Sequence, residues 1–399
     1  MKNISPRCPY FGTCGGCQLQ HIPYEDQLEM KRGMVRESME KQGLAGIEVR
    51  ATLGMEDPWF YRNKIQFPIR EQNNHLQMGY FKQKTHEVVN IKECYIQDPY
   101  LTEIAQIARE IFEDRGLSAY DEKTGKGLLR HFIGRSGFQT NEILLGIVIN
   151  GKGLPAAFTV ADEIKKRERL MHRMVDRHSE YPRFNKKMRI VGIIQNINTG
   201  RGNTILGSDN TTLFGNSAMR EKLGKFTFKV RLLSFFQVNP LQAKIIYRLV
   251  NEYSELSGSE LAVDAYAGIG PIAFWISDKA QNVIGIEERK EAVKDANENI
   301  KLNQLGNVKI EAGLIEKVFP KKADVVILDP PRGGCSEKAL QVVCKADPRK
   351  IIYVSCNPET LARDLKALTE EKYRIEAVQP VDMFPQTDHV EVVAKLSRG

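Results

Sequence analysis

Cys356 is the side chain best placed in this sequence to act as a nucleophile. It lies in Ile352-Tyr353-Val354-Ser355-Cys356-Asn357-Pro358-Glu359-Thr360, where an apolar, strand-like run gives way to a polar turn. Upstream, Val325-Val326-Ile327-Leu328 runs into Asp329-Pro330-Pro331-Arg332. Ligands of open α/β sheets bind just beyond the carboxyl ends of the strands. A thiol and a carboxylate at two such ends suggest covalent chemistry beside a bound cofactor. The plain alternatives are a buried strand-end thiol and an aspartate that caps the Pro-Pro turn. The Asn357-Pro358 turn argues for an exposed thiol.

A second motif, Val263-Asp264-Ala265-Tyr266-Ala267-Gly268-Ile269-Gly270-Pro271, follows apolar residues and opens a helix. Gly268 and Gly270 let a ligand approach the backbone, but GxG without the third glycine is weak evidence alone. Glu287 ends the next strand, where a carboxylate can accept both ribose hydroxyls of an adenosine. A carboxylate at Asp264 would repel a pyrophosphate. It suits S-adenosylmethionine, which has no phosphate and carries a positive sulfonium and amine. NAD is the competing reading, and the Asp-Pro-Pro at 329–331 tips the balance toward a methyltransferase.

Four cysteines make a third group: Cys8, Cys14 and Cys17 in the first turns of the chain, and Cys94 far downstream. In a reducing compartment such a set suggests metal ligation rather than disulfides. Zinc sites usually combine two close pairs. A triplet with a distant single fits a four-thiolate [4Fe–4S] site better. Zinc, with His21 as a substitute ligand, and unligated thiols remain alternatives. Cys335 and Cys344 have no such company, and Cys344 reads as a small buried hydrophobe in a helix.

The elements that must position these residues fall into two styles. From about Leu233 strands and helices alternate, as in a doubly wound α/β domain. The strands are expected at 261–266, 283–287, 308–311, 325–329 and 351–355, then near 374–378 and 390–396, with helices at 272–279, 290–302, 337–345 and 358–368. Before it, a helix over 24–42 precedes strand-like residues 59–90, a helix over 99–115 closed by Gly116, and a hairpin from 128–138 and 142–150. A helix near 162–179 and strands near 190–196, 203–206 and 226–232 complete a mixed α+β middle. The boundaries expected are 1–232 and 233–399.

The chain has 399 residues, a formal charge of +8 and 42% hydrophobic residues, enough for two or three real cores. No run of about 18 apolar residues exists, so no membrane helix is expected. The N-terminus lacks the apolar stretch of a signal peptide, and a cytoplasmic protein follows. Residues 151–235 hold 17 Lys and Arg against 7 Asp and Glu. Lys165, Lys166, Arg167, Arg169, Arg173, Arg177, Arg183, Lys186, Lys187 and Arg189 are the densest part. Composition does not choose between a solvated helix and a face that contacts nucleic-acid phosphates.

Taken together, these motifs resemble the iron–sulfur-containing RNA 5-methyluridine methyltransferases, over nearly the whole chain. The resemblance also includes Gly127-Leu128-Leu129-Arg130-His131, Gln195-Asn196-Ile197-Asn198, Ser234-Phe235-Phe236-Gln237-Val238-Asn239 and Asp382-Met383-Phe384-Pro385-Gln386-Thr387-Asp388-His389-Val390-Glu391. It implies a Rossmann-like S-adenosylmethionine methyltransferase domain joined to an α+β, RNA-binding central domain with a [4Fe–4S] cluster on Cys8, Cys14, Cys17 and Cys94. It implies that Gln237, Tyr266, Glu287 and Asp329 line the cofactor and target-base pocket, that Cys356 is the nucleophile and that Glu391 is the general base. Without the resemblance Glu391 would read as a solvent-facing strand residue. The family also suggests that the helix after Cys17 packs on the catalytic domain.

Three departures stand out. Cys8 leaves no room for the small RNA-binding β-barrel, the TRAM domain, with which members often begin, so residues 151–235 are expected to carry more of the RNA grip. Pro271 and Leu314 stand where polar contacts to the cofactor occur in some members.

The implied chemistry explains the residue types. C5 of uracil is a poor nucleophile until a thiolate adds to C6 and moves charge onto C5 and O4. C5 then attacks the sulfonium methyl, a carboxylate removes the C5 proton, and the cysteine leaves. The base must leave its stack to be reached, and Phe235, Phe236 and Phe384 are candidates to stack on it or to be core. His389 is a candidate to assist Cys356, or a structural hydrogen-bonder. Large-subunit (23S) ribosomal RNA is the expected substrate, since the cysteine set resembles the rRNA-modifying branch, with the tRNA T-loop uridine second. An adenine amino-group methyltransferase would normally carry an aromatic where Arg332 stands. A non-catalytic RNA-binding or folding factor is the remaining class.

Overall fold

The computed structural model describes residues 3–175 and 186–399. A cysteine-rich loop leads into α1 (Tyr24–Lys41), then strands β1 (Lys64–Gln72), β2 (His75–Phe81) and β3 (Val88–Asn90). Helix α2 (Pro99–Asp114) and the hairpin β4 (Leu129–Ser136) and β5 (Glu142–Ile149) follow, then α3 (Ala157–Lys166), α4 (Glu168–Val175), β6 (Arg189–Ile197) and β7 (Asp209–Gly215). These strands form one sheet in the order β3-β2-β1-β4-β5-β6-β7, antiparallel except for the β5–β6 pair.

A hairpin of β8 (Ala218–Leu223) and β9 (Phe226–Arg231) leads to α5 (Pro240–Ser254). Then come β10 (Leu261–Asp264), α6 (Pro271–Ile276), β11 (Asn282–Glu287), α7 (Lys290–Leu302), β12 (Val308–Ala312), α8 (Ile315–Val318) and β13 (Val325–Leu328). The chain ends with α9 (Glu337–Lys345), β14 (Lys350–Ser355), α10 (Pro358–Glu370), β15 (Tyr373–Val381) and β16 (Glu391–Arg398). The second sheet has the order β12-β11-β10-β13-β14-β16-β15. Its first five strands are parallel, and β13 and β14 are buried along their whole length. Such uninterrupted apolar strands belong to sheets covered on both faces. The strand order reverses between β10 and β13, and ligands of doubly wound sheets bind at that switch point.

Local signals explain most boundaries. Asp98 caps α2 by accepting from the Tyr100 amide at 2.9 Å, and Asn357 caps α10 from the Glu359 amide at 3.1 Å. Helix α5 is an element the sequence reading lacked, although Asn239 caps it and Pro240 fills its first turn. The strand expected near 203–206 is a loop, because Asn198 Nδ2 donates to the carbonyls of Thr204 and Ile205 at 2.6 and 3.0 Å. β7 and β8 are strands instead. The single helix expected near 162–179 breaks at Arg167 into α3 and α4. Its last residues, with Arg177, Arg183 and the side chain of Arg173, lie outside the described residues.

The chain order is not the order of packing. Val35 and Met39 of α1 share a core with Leu361, Leu365 and Val378. The residues after α1 then run beside β15, with the Arg50 amide donating to Val378 and the Leu53 amide to Pro380, both at 3.0 Å. Another core is continuous from Ile133, Leu144 and Ile194 of the first sheet through Phe228 to Phe274 of α6, where the two rings stack at 5.2 Å. No helix among the described residues is long and apolar enough to cross a membrane.

Candidate active site

A cavity of about 1190 Å³ lies at the switch point, between the carboxyl ends of β10, β11, β13 and β14 and one face of the first sheet. Gln237, Tyr266, Glu287, Asp329, Cys356 and Glu391 all line it, although they are spread over some 150 residues of chain. The cysteines at 8, 14, 17 and 94 are not part of this wall.

One half of the cavity has the features of an adenosine site. The Asp264 carboxylate is fully buried, and its Oδ2 accepts from the Ala273 amide at 3.0 Å. Its Oδ1 has no partner among the described residues. Burial, then Asp329, push this carboxyl up to about 7. Gly268 and Gly270 have φ of 55° and 95°, and a Cβ on Gly270 would lie 2.6 Å from the Phe274 ring. The turn they form aims the Gly268 amide at Glu287 Oε2, 3.0 Å away, while the Arg289 amide holds Oε1 at 2.8 Å. Glu287 is thus fixed by backbone and keeps lone pairs free for hydroxyls. Tyr266 donates to the Cys335 thiol at 3.5 Å. Pro271 and Leu314 both line the cavity, and Leu314, 40% exposed, offers an apolar face there. An unpartnered buried carboxylate oxygen, a fixed glutamate and an apolar face fit a cationic adenosine cofactor better than a pyrophosphate.

The other half carries the reactive groups. Cys356 follows the last residue of β14, half-buried, and the Asn357 turn holds the chain there with Nδ2 donating to the Arg332 carbonyl at 3.2 Å. Burial, Glu391 and Asp329 push its thiol up to about 11, and Arg332 acts in the opposite direction. Burial and then Asp329 push Glu391 up to about 8, and burial raises Asp329 to about 7. His389 lines the same cavity with its ring 6.0 Å from that of Phe384.

These shifts make a prediction that needs no RNA. Below its pKa the thiolate fraction of Cys356 should rise about tenfold per pH unit, so alkylation by iodoacetamide should accelerate about a hundredfold between pH 7 and 9. Asp329→Asn removes a negative charge that disfavours the thiolate, so the curve moves to lower pH. The rate is read by mass spectrometry of the Cys356 peptide. A flat profile, or a curve moved upward in the variant, contradicts the assignment.

The far wall comes from residues that carried no site assignment in the sequence, although His131 ends the Gly127-Leu128-Leu129-Arg130-His131 motif. Arg62, Lys64, Gln66 and Pro68 point from one face of β1 and its approach, and His131 joins them from β4, opposite Pro68. Burial, Arg135 and Arg62 lower the Lys64 amine to about 6, and it has no acidic partner among the described residues. Burial with Arg70 and Arg130 lowers His131 to about 3, so the imidazole is neutral. The signal available was the alternation of polar residues along an otherwise apolar strand.

Of the three aromatic candidates, Phe235 stands 67% exposed at the cavity, Phe384 is half-buried there, and Phe236, at 4%, packs into the core. Four residues of the basic run pair with carboxylates of the chain. Lys165 pairs with Glu168, Lys166 with Asp162 at 2.6 Å, Arg167 with Glu110 at 3.5 Å and Arg189 with Glu142 at 3.1 Å. Arg169, Lys186 and Lys187 are exposed.

The front cysteines do approach one another. Cys17 is pushed up to about 12 by burial and then by Cys14 and Cys8, and Cys94 is raised by burial and by all three others. Their loop is tied to β2, with the Gly15 amide donating to Phe81 at 3.0 Å and the Gly16 amide to Cys14 Sγ at 3.4 Å. No three His, Cys, Asp or Glu side chains among the described residues are grouped to hold a single metal ion. Cys335 is buried and Cys344, expected to be buried, is half-buried on α9 because its face of the helix is only partly covered.

The fold and site are those of a Rossmann-type methyltransferase. The sequence profile of tRNA (Uracil-5-)-methyltransferases matches residues 315–398, and that of the TRM5/TYW2 methyltransferase domain matches residues 243–336. A Bacillus cereus protein described as an uncharacterized RNA methyltransferase is 41% identical, over 98% of this chain and 82% of its own length. A protein of Clostridium tetani with the same description is 39% identical over the same shares. The crystal structure of Pyrococcus abyssi tRNA (uracil-54, C5)-methyltransferase in complex with S-adenosyl-L-homocysteine superimposes with a TM-score of 0.75. It is 29% identical and the match covers 96% of this chain and 86% of that one. The chain belongs to the RNA uracil-5-methyltransferase family, which is S-adenosylmethionine-dependent.

Proposed function

We propose that the protein methylates C5 of a uridine in structured large-subunit ribosomal RNA through a covalent bond between Cys356 Sγ and C6 of the base. The observation that carries this reading is the meeting of Cys356, Glu391 and Asp329 in one cavity with Asp264 and Glu287. S-adenosylmethionine supplies an electrophilic methyl group when bound. Asp264 and Asp329 suit its positive charge, Glu287 its ribose, and Gln237 and Tyr266 close the pocket beside it. Arg332 favours the Cys356 thiolate against the two acids. Attack at C6 turns C5 into a carbon nucleophile, which takes the methyl group. Glu391, with a pKa near the working pH, is matched to accepting the C5 proton. Expulsion of Cys356 then restores the ring. Phe235 offers a stacking surface for a base drawn out of its helix. The exposed Arg169, Lys186 and Lys187 offer charge to the RNA backbone.

Transfer RNA is the second reading, favoured by the substrate of the Pyrococcus abyssi relative. Incubation of anaerobically purified protein with labelled S-adenosylmethionine and unmodified rRNA or tRNA, followed by digestion and mass spectrometry, decides. 5-Methyluridine in rRNA supports the proposal. Product in tRNA alone keeps the chemistry and overturns the substrate. No product in either, with cofactor bound, moves the reading to another RNA substrate or to a non-catalytic RNA-binding factor.

We also assign Cys8, Cys14, Cys17 and Cys94 to a [4Fe–4S] cluster. A zinc ion draws four sulfurs within about 2.3 Å of one centre. Four thiols near enough to raise one another suit the four-thiolate set that the resemblance implies. Anaerobic protein should contain iron and acid-labile sulfide in equal amounts, and Cys94→Ala should lose both. One equivalent of zinc without sulfide would overturn the assignment.

A further inference from the structure

The loop from Asp382 to Val390 joins β15 to β16 and delivers Glu391. Val381 and Glu391 are direct cross-strand partners, so the loop closes on the residue that faces the cavity. Phe384 and His389 of the same loop form part of the cavity wall. Much of what holds the loop comes from the start of the chain. Lys31 Nζ on α1 lies 2.5 Å from Asp382 Oδ1 and donates to the Phe384 carbonyl at 3.1 Å. Both charged side chains are fully buried. Tyr24 donates to Asp382 Oδ2 at 2.8 Å. The Gln27 carboxamide donates to Gln386 Oε1 at 3.1 Å and accepts from the Gln386 amide at 3.2 Å. On the other side, Tyr61 donates to the Pro385 carbonyl at 2.9 Å.

A buried ion pair is a poor source of stability, because desolvation of two charges offsets most of their attraction. Burial lowers the Lys31 amine and raises the Asp382 carboxyl, and their contact opposes both. Two apolar side chains could fill the same space. The charged pair adds direction: one nitrogen fixes a carboxylate and a carbonyl two residues apart, at the base of the loop that ends in Glu391. We propose that Lys31 is a positioning residue for proton removal, locking this loop so that Glu391 keeps its place on the cavity wall. The inference rests on the uridine-methylating reading above.

The test compares two RNA substrates with the full-length protein. On uridine RNA, turnover needs loss of the C5 proton. On 5-fluorouridine RNA no proton is present to lose, and covalent trapping reports only thiol attack and methyl transfer. Lys31→Met should trap 5-fluorouridine RNA within about twofold of wild type. Its turnover on uridine RNA should fall about tenfold to a hundredfold, as small misplacements of catalytic groups do. A methylated protein–RNA adduct should accumulate on denaturing gels. Equal loss in both assays, or unchanged turnover, overturns the proposal. If thermal melting shows Lys31→Met unfolded, Tyr24→Phe removes the hydrogen bond to Asp382, along with the one Tyr24 accepts from the Met55 amide at 2.9 Å, and should show the same split in smaller measure. Wild-type turnover in that variant would overturn the proposal too. Wild-type protein that neither methylates nor traps would instead overturn the function on which the assignment rests.

Discussion

Cys356→Ala should abolish covalent capture of 5-fluorouridine RNA and cut methylation by about 10⁴-fold or more, the scale seen when a covalent nucleophile is removed. Nothing else in the cavity can replace it. The other thiol near the site, Cys335, is buried behind Tyr266, which donates to its sulfur. Cofactor binding should survive, because Asp264, Glu287 and Gly268 are held by their own backbone contacts and none involves Cys356. Calorimetric titration with S-adenosylhomocysteine and a gel assay for the adduct separate the two effects. Retained methylation in a folded Cys356→Ala protein would sink the covalent mechanism. Lost cofactor binding would mean that the thiol supports the pocket rather than the reaction.

The second large effect is expected at Glu391. Glu391→Gln keeps the shape of a side chain buried at the start of β16 but cannot accept a proton. Attack and methyl transfer should continue while release stalls. Methylated RNA should therefore remain bonded to Cys356, and turnover should fall about 10²- to 10⁴-fold, the usual range for a general base. The substitution also removes a charge that raises Cys356, so the first addition should be no slower than in wild type. Rapid quenching followed by electrophoresis and mass spectrometry of the adduct would resolve the steps. If free 5-methyluridine RNA appeared at the normal rate, another group would have to be the base.

The expected differences between Glu391→Gln and Cys356→Ala follow from position as much as chemistry. One residue ends a parallel strand at the switch point, and the other begins an antiparallel strand that folds back beside it, with Ser355 opposite Val392. Neither relation is visible in the chain order.

Read as a string, the chain carries its catalytic domain plainly. Apolar runs ending in Asp264, Glu287, Asp329 and Cys356 announce parallel strands with polar groups at their carboxyl ends, because strands covered on both faces tolerate little else along their length. The caps at Asp98 and Asn357 and the residues 99–115, 290–302 and 337–345 are similarly legible, since capping and periodicity are local properties. α5 went unread despite its Asn239-Pro240 start. The 203–206 segment misled because the hydrogen bonds that make it a loop come from Asn198, a side chain outside it.

Tertiary structure alone decided the rest. The cationic and neutral polar wall of Arg62, Lys64, Gln66 and His131 exists only because the first sheet lies over the ends of the second. Composition left the basic run open between a solvated helix and a phosphate-binding face, and only packing shows which of its described charges meet carboxylates, as Arg167 meets Glu110 and Arg189 meets Glu142. The raised pKa of Glu391 and Cys356 depends on burial and on Asp329 across the cavity. The Lys31–Asp382 pair joins the two ends of the chain. Sequence by itself determined which groups could react and which segments could be strands, because composition and periodicity are written residue by residue. Which groups face one another, and how strongly each holds its proton, depends on distances and desolvation that arise only when segments hundreds of residues apart are packed together.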